Sequence, residues 1–477
     1  MKKIYYLLLL MLPFTACDNY IDITPKGAVT VETAEQYYEL VVNPLRSYYP
    51  SSYALLSDDA WAKESNIIGY ESQSADGINF TFNEAADRTI LSDNNLYENM
   101  YSNILRSNLI IDNIDAAEGA QEVKTLAKAE ARIFRAFDHF LAINTYAKAY
   151  TPATAATDGG VCIMDHYNLE ATPKKSSVEK VYEFIIKDLE ESVDLLQEKP
   201  ANIYHPNKAY GYGLLAQVYL FHRDWEKARD AALKSLAIND ELVDYNVIND
   251  AGGVARYKNF NRDNNPEVLS YMWLASNWTA EQVTYYRYGM ISPELKNLFE
   301  ANDLRYSLFL RDTGTSIENW FDKGSGAAIW TPANTTERFT YMAVGLRTAE
   351  VYLTLAEAYA RLNDLKDATD YVNRLRAKRL SGATTAIPQP STQKGMMDQI
   401  ILERRKELLF GFHRFFDLKR FNTEPEYAKT ITRTFPVVTT TVPQKTYTLR
   451  PDSRLYIIPF PHSARDKNPN LTLNTDE

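Results

Sequence analysis

One pattern in this chain occurs twice, and the two copies lie 140 residues apart. Each copy contains an aromatic residue, a Leu, an Ala and a Tyr, followed by an Asp and a second Ala. The first copy spans Tyr212–Ala228 and the second spans Tyr352–Ala368. Small residues at this spacing let two antiparallel helices approach closely, while the aromatic side chains fill the space beside them. The repeat therefore predicts two helix-turn-helix units.

This order of residues is the tetratricopeptide pattern. In both units we expect a turn at the Asp, followed by a second helix over 226–237 or 365–378. Apolar residues at helical spacing in Leu96–Asp115 and Ala127–Tyr146 predict a third pair. The expected fold is mainly α, with long loops and a few short strands. Its scaffold consists of split tetratricopeptide-type helix pairs near 96–146, 210–237 and 345–378.

Apolar spacing predicts two further helices, one over Val178–Leu196 and one long helix over Asp398–Arg420. Ser176 and Ser177 are candidate N-caps for the first of them, because a Ser hydroxyl accepts a hydrogen bond from a free N–H of the first turn. The second has Glu and Arg side chains at helical spacing. These charges indicate an ion-pair network that locks the last helices to the scaffold, with carboxylate recognition or acid–base chemistry as the alternative.

Two regions, near 57–87 and 246–340, are instead rich in polar and turn-forming residues. The second contains one predicted helix, near Pro293–Asn302. The β-branched stretch Thr430–Val442 predicts a hairpin. Because loops on a rigid scaffold commonly carry binding residues, we expect the ligand region to lie in the two polar regions.

Residues 1–16 have the features of a secretory signal peptide. Lys2 and Lys3 supply the positive start, and an apolar stretch too short to span a bilayer follows them. Thr15 and Ala16 before Cys17 resemble the lipobox of bacterial lipoproteins, in which the signal is removed and the Cys is acylated. Residues 17–477 are expected to form a single domain. If Cys17 is acylated, Cys162 is the remaining cysteine and no intrachain disulfide can form.

The net charge of −10 argues against a nucleic-acid partner, since phosphate contacts require Lys and Arg. The sequence Asp263, Asn265, Glu267 alternates as in part of a calcium loop but lacks the required Gly, so we interpret it as a turn before a strand. No HExxH or CxxC motif is present, and no metal or cofactor is expected.

Several segments in order resemble the SusD/RagB family, which comprises outer-membrane lipoproteins of Bacteroidetes. The most specific is Glu403-Arg404-Arg-Lys-Glu407 followed by Arg414-Phe-Phe-Asp417-Leu-Lys-Arg420. The stretch between these two halves, Leu409–His413, lacks the Glu or Gly-Trp pair of many members. The other matching segments are Cys17–Pro25, Glu130–Phe137, Leu214–Leu220, Arg347–Ala358, Ile458-Pro459 and Asn468–Leu471.

The resemblance implies a SusD-like fold and a lipid-anchored protein on the outer face of the outer membrane, held by acylated Cys17. It implies a SusC-type TonB-dependent transporter as the partner, over which the protein would sit as a lid. It also implies binding of oligosaccharides, or in some members of peptides, without catalysis. Glycan is favoured over peptide because sugar rings stack on Trp and Tyr, and five of the six Trp lie in the two polar regions.

These loop aromatics are the candidate ligand contacts. The alternative is that each ring is buried, as Trp usually is wherever it lies in a chain. Trp225 falls within a predicted helical unit, where a packing role fits. The candidate ligand-binding residues are Trp61, Tyr70, Trp273, Trp278, Tyr285, Tyr286, Trp320 and Trp330.

Two other functions fit parts of the sequence. A secreted glycoside hydrolase would use two carboxylates, for which Asp58, Asp59 or Glu64 are available, although the helical repeats do not suggest it. A tetratricopeptide adaptor would bind only protein. A cluster of exposed aromatics on the loops would favour glycan capture, whereas a cluster on the concave face of the repeats would favour the adaptor.

Overall fold

The computed structural model describes the chain in segments and is mainly helical, as the sequence predicts. The described residues are 31–44, 47–48, 52–61, 74–89, 94–252, 265–270, 272–274, 290–310, 346–409, 413–435 and 443–475. The α-helices among them are α1 Ala34–Val42, α2 Ala75–Phe80, α3 Asn94–Asn113, α4 Gln121–Tyr146, α5 Val178–Glu190, α6 Lys208–His222, α7 Trp225–Ile238, α8 Tyr245–Asp250, α9 Pro293–Lys296, α10 Leu304–Phe309, α11 Thr348–Arg361, α12 Leu365–Ala377, α13 Gln393–Glu407, α14 His413–Phe421 and α15 His462–Lys467.

The repeated pattern folds into two helix pairs with the same turn. The turn of α6–α7 contains Arg223 and the turn of α11–α12 contains Asn363, with positive φ angles of 68° and 63°, respectively. The next residues, Asp224 and Asp364, accept a hydrogen bond from a backbone N–H in the first turn of the second helix. This N-cap explains why each second helix begins directly after the Asp.

Close packing of the helix pairs depends on small side chains. Ala216, Ala356, Ala228 and Ala368 are fully buried, and α11 packs against both α7 and α12. Gly213 on α6 has no room for a side chain, because a Cβ there would lie 2.3 Å from Cδ2 of Leu346. The third predicted pair is also present, since α3 packs antiparallel to α4 with α1 and α5 against α4.

Helix ends differ from the sequence predictions at two places. α5 begins after Ser177, whose Oγ accepts from the Lys180 N–H as expected, but it ends at Glu190 and a 3-10 turn follows at Val193–Leu195. The predicted long helix over Asp398–Arg420 is wrong, because α13 ends at Glu407 and α14 begins at His413. Across this break, Arg404 on α13 forms an ion pair with Asp417 on α14.

The two polar regions contain more regular structure than expected. In the first, α2 buries Ile78 and Phe80. In the second, α8 and α10 were not predicted, and the helix expected over Pro293–Asn302 is limited to α9. The apolar residues of these short helices pack into the core, which stabilises helices that local sequence alone would not.

Strands are short and form four two-stranded sheets among the described residues. The predicted hairpin is present, with Ile431 paired to Leu449 and Phe435 paired to Lys445, although its second strand lies beyond the expected range. The strands are β1 Ser47–Tyr48, β2 Ala60–Trp61, β3 Gly159–Cys162, β4 Lys175–Ser177, β5 Trp273–Leu274, β6 Met290–Ile291, β7 Ile431–Phe435 and β8 Lys445–Leu449, and the pairs are β1–β5, β2–β6, β3–β4 and β7–β8.

Glu407 at the end of α13 is buried within a group of three guanidinium groups. Its carboxylate is 2.9 Å from Arg379 Nε, 3.1 Å from Arg347 Nη1 and 3.4 Å from Arg305 Nη1. Arg379 is itself fully buried and also donates to Glu267 at 2.7 Å. Four separate chain segments are therefore held together by one buried carboxylate.

Glu403, one helical turn earlier, forms a second group of ion pairs. Its carboxylate accepts from Arg305 Nη2 at 2.9 Å, from Lys406 Nζ at 2.8 Å and from Arg376. Burial alone would raise the pKa of the Glu403 carboxyl, but these cations outweigh burial and lower it to about 2. The pKa of Glu407 is lowered to about 2 for the same reason.

Asp417 on α14 connects the two signature helices. Arg404 of α13 donates to its carboxylate at 2.7 and 3.1 Å, and Arg420 donates at 2.9 Å. Arg420 also pairs with Glu357 on α11 at 2.5 and 2.7 Å. The ion-pair interpretation of the signature charges is thus confirmed.

Replacing Arg379 with Met is expected to lower the free energy of unfolding by about 3–5 kcal/mol, because Glu407 and Glu267 lose a buried partner. Arg374→Met, five residues earlier near the end of α12, is the matched control, since Arg374 is exposed and its loss should change stability by less than about 0.5 kcal/mol. Urea unfolding followed by circular dichroism measures both. Equal effects of the two variants would contradict the proposed contribution of the buried ion pairs to the free energy of unfolding.

Acid should unfold the protein through the same network. Carboxyl groups with a lowered folded-state pKa stabilise the fold above their unfolded pKa, and this stability is lost as the pH falls through the folded pKa. For Glu403 and Glu407 this loss of stability should occur as the pH falls from about 4.5 to about 2. The melting temperature measured between pH 5 and pH 2.5 should fall steadily, and a constant value would show that these carboxylates do not contribute.

Candidate functional site

A pocket of about 310 Å³ lies between β2, the start of α9 and β7. It combines apolar, hydroxyl, amide and charged side chains. The lining residues are Asp58, Trp61, Ser292, Pro293, Glu294, Ile431, Thr432, Arg433, Thr434 and Gln444.

Backbone pairing between β2 and β6 fixes the walls of the pocket. Trp61 pairs with Met290 in an antiparallel register. Ser292 then donates its N–H to the Asp59 carbonyl at 2.8 Å and its hydroxyl to the Asp58 carbonyl at 2.6 Å. The start of α9 is therefore held directly beside the segment that carries Asp58.

Asp58 is a buried carboxylate that is surrounded by cations. Arg414 donates from Nε at 2.7 Å and from Nη2 at 2.8 Å, Lys429 donates at 2.7 Å, and Arg405 lies at 3.3 Å. Burial would raise the pKa of this carboxyl, but the three cations hold it well below the usual range. Asp58 consequently stays ionised and is not a proton donor at neutral pH.

The neighbouring carboxylates share the same cations. Asp59 accepts from Arg405 Nε at 2.8 Å, and burial together with the negative charge of Asp58 raises its pKa to about 6. Glu294, which is half exposed, accepts from Lys429 at 2.5 Å and from Arg405 at 2.9 Å. Asp58 and Asp59, two of the three carboxylates available to a glycoside hydrolase, therefore form ion pairs inside the protein, and the third, Glu64, lies outside the described residues.

Arg433 lies on the inward face of β7 and is held by backbone carbonyls. It donates to the carbonyls of Phe80 at 2.6 Å and of Leu55 and Ser57 at 3.1 Å. Its guanidinium also lies 4.2 Å from the ring centroid of Phe80 and 5.4 Å from that of Trp61. Burial lowers the pKa of Arg433 to about 9, and none of the described carboxylates forms an ion pair with it.

Trp61 lines the pocket but is not presented on the surface as an exposed loop residue. It is 6% exposed and meets the ring of Phe80 edge-on at 5.2 Å. Leu55, Ile291 and Leu295 belong to the same apolar cluster. At this position the structure agrees with the alternative that the ring is buried, because β2 and α2 form a small core where a polar loop was predicted.

The other predicted ligand contacts are not placed by the structure. Trp273 lies in β5, where its backbone pairs with Ser47, and its side chain is not described. The remaining predicted contacts fall outside the described residues: Tyr70, Trp278, Tyr285, Tyr286, Trp320 and Trp330.

Two of the segments that carry these residues are neighbours of the β2–β6 pair in the sequence. Residues 62–73, which include Tyr70, follow directly after Trp61. Residues 275–289, which include Trp278, Tyr285 and Tyr286, end directly before Met290, the partner of Trp61. The described residues that flank these two segments in the sequence, Trp61 and Met290, are therefore paired with each other.

Sequence reasoning missed the side chains that β7 and α9 contribute to the pocket. Thr432 and Thr434 alternate with the inward-facing Ile431 and Arg433, and this alternation was visible in the sequence as a strand signal. The sequence did not show that these residues line one pocket with Asp58, because that depends on contacts between distant parts of the chain.

The described residues contain no group of three or more His, Cys, Asp or Glu arranged to hold a metal ion. Of the partial calcium motif, Asp263 is outside the described residues, and the Asn265 side chain instead accepts from the Glu267 N–H at 3.0 Å in a tight turn. Within the described helices, none is both long enough and apolar enough to cross a membrane.

Comparison with known proteins gives consistent matches along most of the chain. A family model described as "SusD family" matches residues 255–476, and one described as "Starch-binding associating with outer membrane" matches residues 26–220. A SusD-like protein P2 from Formosa agariphila is 25% identical over 468 residues, which cover 87% of this chain and 89% of that protein.

Solved structures agree with these matches in fold. A SusD superfamily protein from Bacteroides thetaiotaomicron has a TM-score of 0.71 and 18% identity, with 94% of this chain and 100% of that chain covered. A SusD-like carbohydrate binding protein from Bacteroides vulgatus has a TM-score of 0.62 and 23% identity, with 92% and 97% covered. The two family models, which together match most of the chain, show that it belongs to the SusD/RagB family.

Proposed function

We propose that this protein is a lipoprotein of the outer cell surface that binds an oligosaccharide and passes it to a SusC-type TonB-dependent transporter. The observation that carries the proposal is the pocket beside the β2–β6 pair, whose lining combines Trp61 and other apolar side chains with hydroxyl and amide groups. The names of similar proteins support it, since one is called a carbohydrate binding protein and one family model refers to starch binding.

The lining of the pocket is suited to a sugar. Sugars combine apolar CH faces with many hydroxyl groups, so their sites pair aromatic or apolar surfaces with a few polar groups. Trp61, Pro293 and Ile431 supply the apolar part, and Thr432 and Gln444 supply a hydroxyl and an amide. Non-catalytic binding is favoured because Asp58 is held ionised by three cations.

Attachment to the membrane would come from the acylated Cys17. Several acyl chains at about 0.8 kcal/mol per buried CH2 give stable anchoring, whereas one chain does not. The described structure begins at Val31, and Thr33 bridges to Glu118 at the turn between α3 and α4. Residues 18–30 would therefore link the lipid to this end of the helical scaffold.

Trp278→Ala and Trp320→Ala are each expected to weaken glycan binding at least about tenfold, a loss of about 1.4 kcal/mol, without unfolding the protein. The ligand is first identified by screening soluble protein that begins after Cys17 against plant, host and microbial glycans. Calorimetry then gives the affinities, with Trp225→Phe as a control outside the proposed site. Unchanged affinity of both Ala variants would refute the assignment of these residues.

Cys17→Ala is expected to release the protein from the outer membrane. The reason is that the thiol and the new amino group are the acylation points of a lipoprotein. Cell fractionation and protease accessibility of intact cells distinguish the variant from the wild type, and Cys162→Ala serves as the matched cysteine control. Full retention of Cys17→Ala in the membrane would exclude the lipid anchor.

A further inference from the structure

The outward face of the β7–β8 hairpin carries four threonines. Thr432 and Thr434 on β7 are opposite Thr448 and Thr446 on β8, respectively. All four side chains are exposed, and the hydroxyl oxygens of Thr434 and Thr446 lie 3.1 Å apart. Opposite residues of an antiparallel pair share a face, so these hydroxyls and methyls form one small array.

This threonine face is regular and carries no charge of its own. Neighbouring threonines on one strand are about 6.8 Å apart, because alternate residues point to the same side. The residues between them, Arg433 and Tyr447, point inward, where Arg433 is held by backbone carbonyls. A ligand lying on this face would meet methyl groups and neutral hydroxyls.

The threonine face is continuous with the pocket. Thr432 and Thr434 line the pocket and also form half of the face, while Gln444, directly before β8, lines the pocket as well. A chain that fills the pocket could therefore extend across the hairpin onto Thr446 and Thr448.

The charged groups around the pocket are engaged within the protein. Asp58 is paired with Arg414 and Lys429, and Glu294 is paired with Lys429 and Arg405. An acidic sugar would have to compete with these carboxylates for their cations, whereas a neutral sugar would not. Charge complementarity thus favours an uncharged ligand.

We infer that the threonine face is an extension of the glycan site and that it takes a long, uncharged polysaccharide chain. This inference rests on the proposed function of the pocket. It goes further by naming the class of sugar and by adding Thr446 and Thr448, which do not line the pocket, to the binding surface.

Opposed threonines also stabilise a hairpin, so the test must separate binding from folding. The variant is Thr446→Val with Thr448→Val, which keeps the shape and the strand preference of both residues and removes only the hydroxyls. Thr384→Val, at an exposed loop position away from the hairpin, is the control. Melting temperatures of all three proteins are recorded alongside binding.

Binding is measured by affinity gel electrophoresis with soluble starch, β-glucan, mannan and xylan as neutral probes and with alginate and polygalacturonate as acidic probes. We expect one neutral polymer to retard the wild type, and the double variant to bind it about tenfold more weakly with an unchanged melting temperature. A short oligosaccharide of the same polymer, which fills only the pocket, should bind both proteins equally in calorimetry.

Retardation by acidic polymers alone, or equal retardation of the double variant and the wild type, would overturn the inference while leaving glycan binding intact. Self-association that is lost in the double variant, seen by sedimentation velocity, would overturn it in favour of a second copy of the chain. If none of the polymers retards the protein, the proposed function itself is refuted, and the inference with it.

Discussion

The arrangement of this protein depends on carboxylates buried at the end of α13. Transferring an ion from water into a protein costs several kcal/mol, and this cost is offset only when close partners surround it. Glu407 meets Arg379, Arg347 and Arg305, which belong to three different parts of the chain. An alternative packing would leave at least one of these charges buried without a partner. The network therefore selects one arrangement of the segments, in addition to whatever stability it contributes.

The same helix also connects the scaffold to the pocket. Arg404 forms an ion pair with Asp417 on α14. Asp417 also pairs with Arg420, which in turn pairs with the helix pair α11–α12. The next residue, Arg405, is directed to Asp59 and Glu294 beside the pocket. Adjacent residues on a helix point about 100° apart, so one helix can serve two partners. The position of the pocket wall is thereby set by the same element that locks the repeats.

Local patterns in the sequence were sufficient to predict the helix pairs, because the Asp caps and the small Ala residues lie within the helices and turns that they specify. They were not sufficient for features decided by distant contacts. The break after Glu407 accompanies the pairing of Arg404 with Asp417, and the burial of Trp61 follows from packing against α2. Arg433 binds the carbonyl of Phe80, which is 353 residues away in the chain. The loop aromatics outside the described residues remain predictions.

The distribution of charge explains how a strongly charged chain can present a neutral binding surface. Ion pairs orient the walls of the pocket because they are directional and strong when buried. Groups already satisfied in this way gain little from a ligand hydroxyl, and so they add rigidity without binding sugar strongly themselves. The hydroxyls of Thr434 and Thr446, which lie 3.1 Å apart, are exposed and outside the ion-pair network, so at the proposed site they could exchange water for a sugar hydroxyl at small cost. A rigid wall whose charges are paired within the protein, beside an uncharged polar face, is thus suited to recognising a molecule by its shape and hydroxyl pattern. It is also suited to releasing that molecule, because no buried charge has to be separated when the ligand leaves.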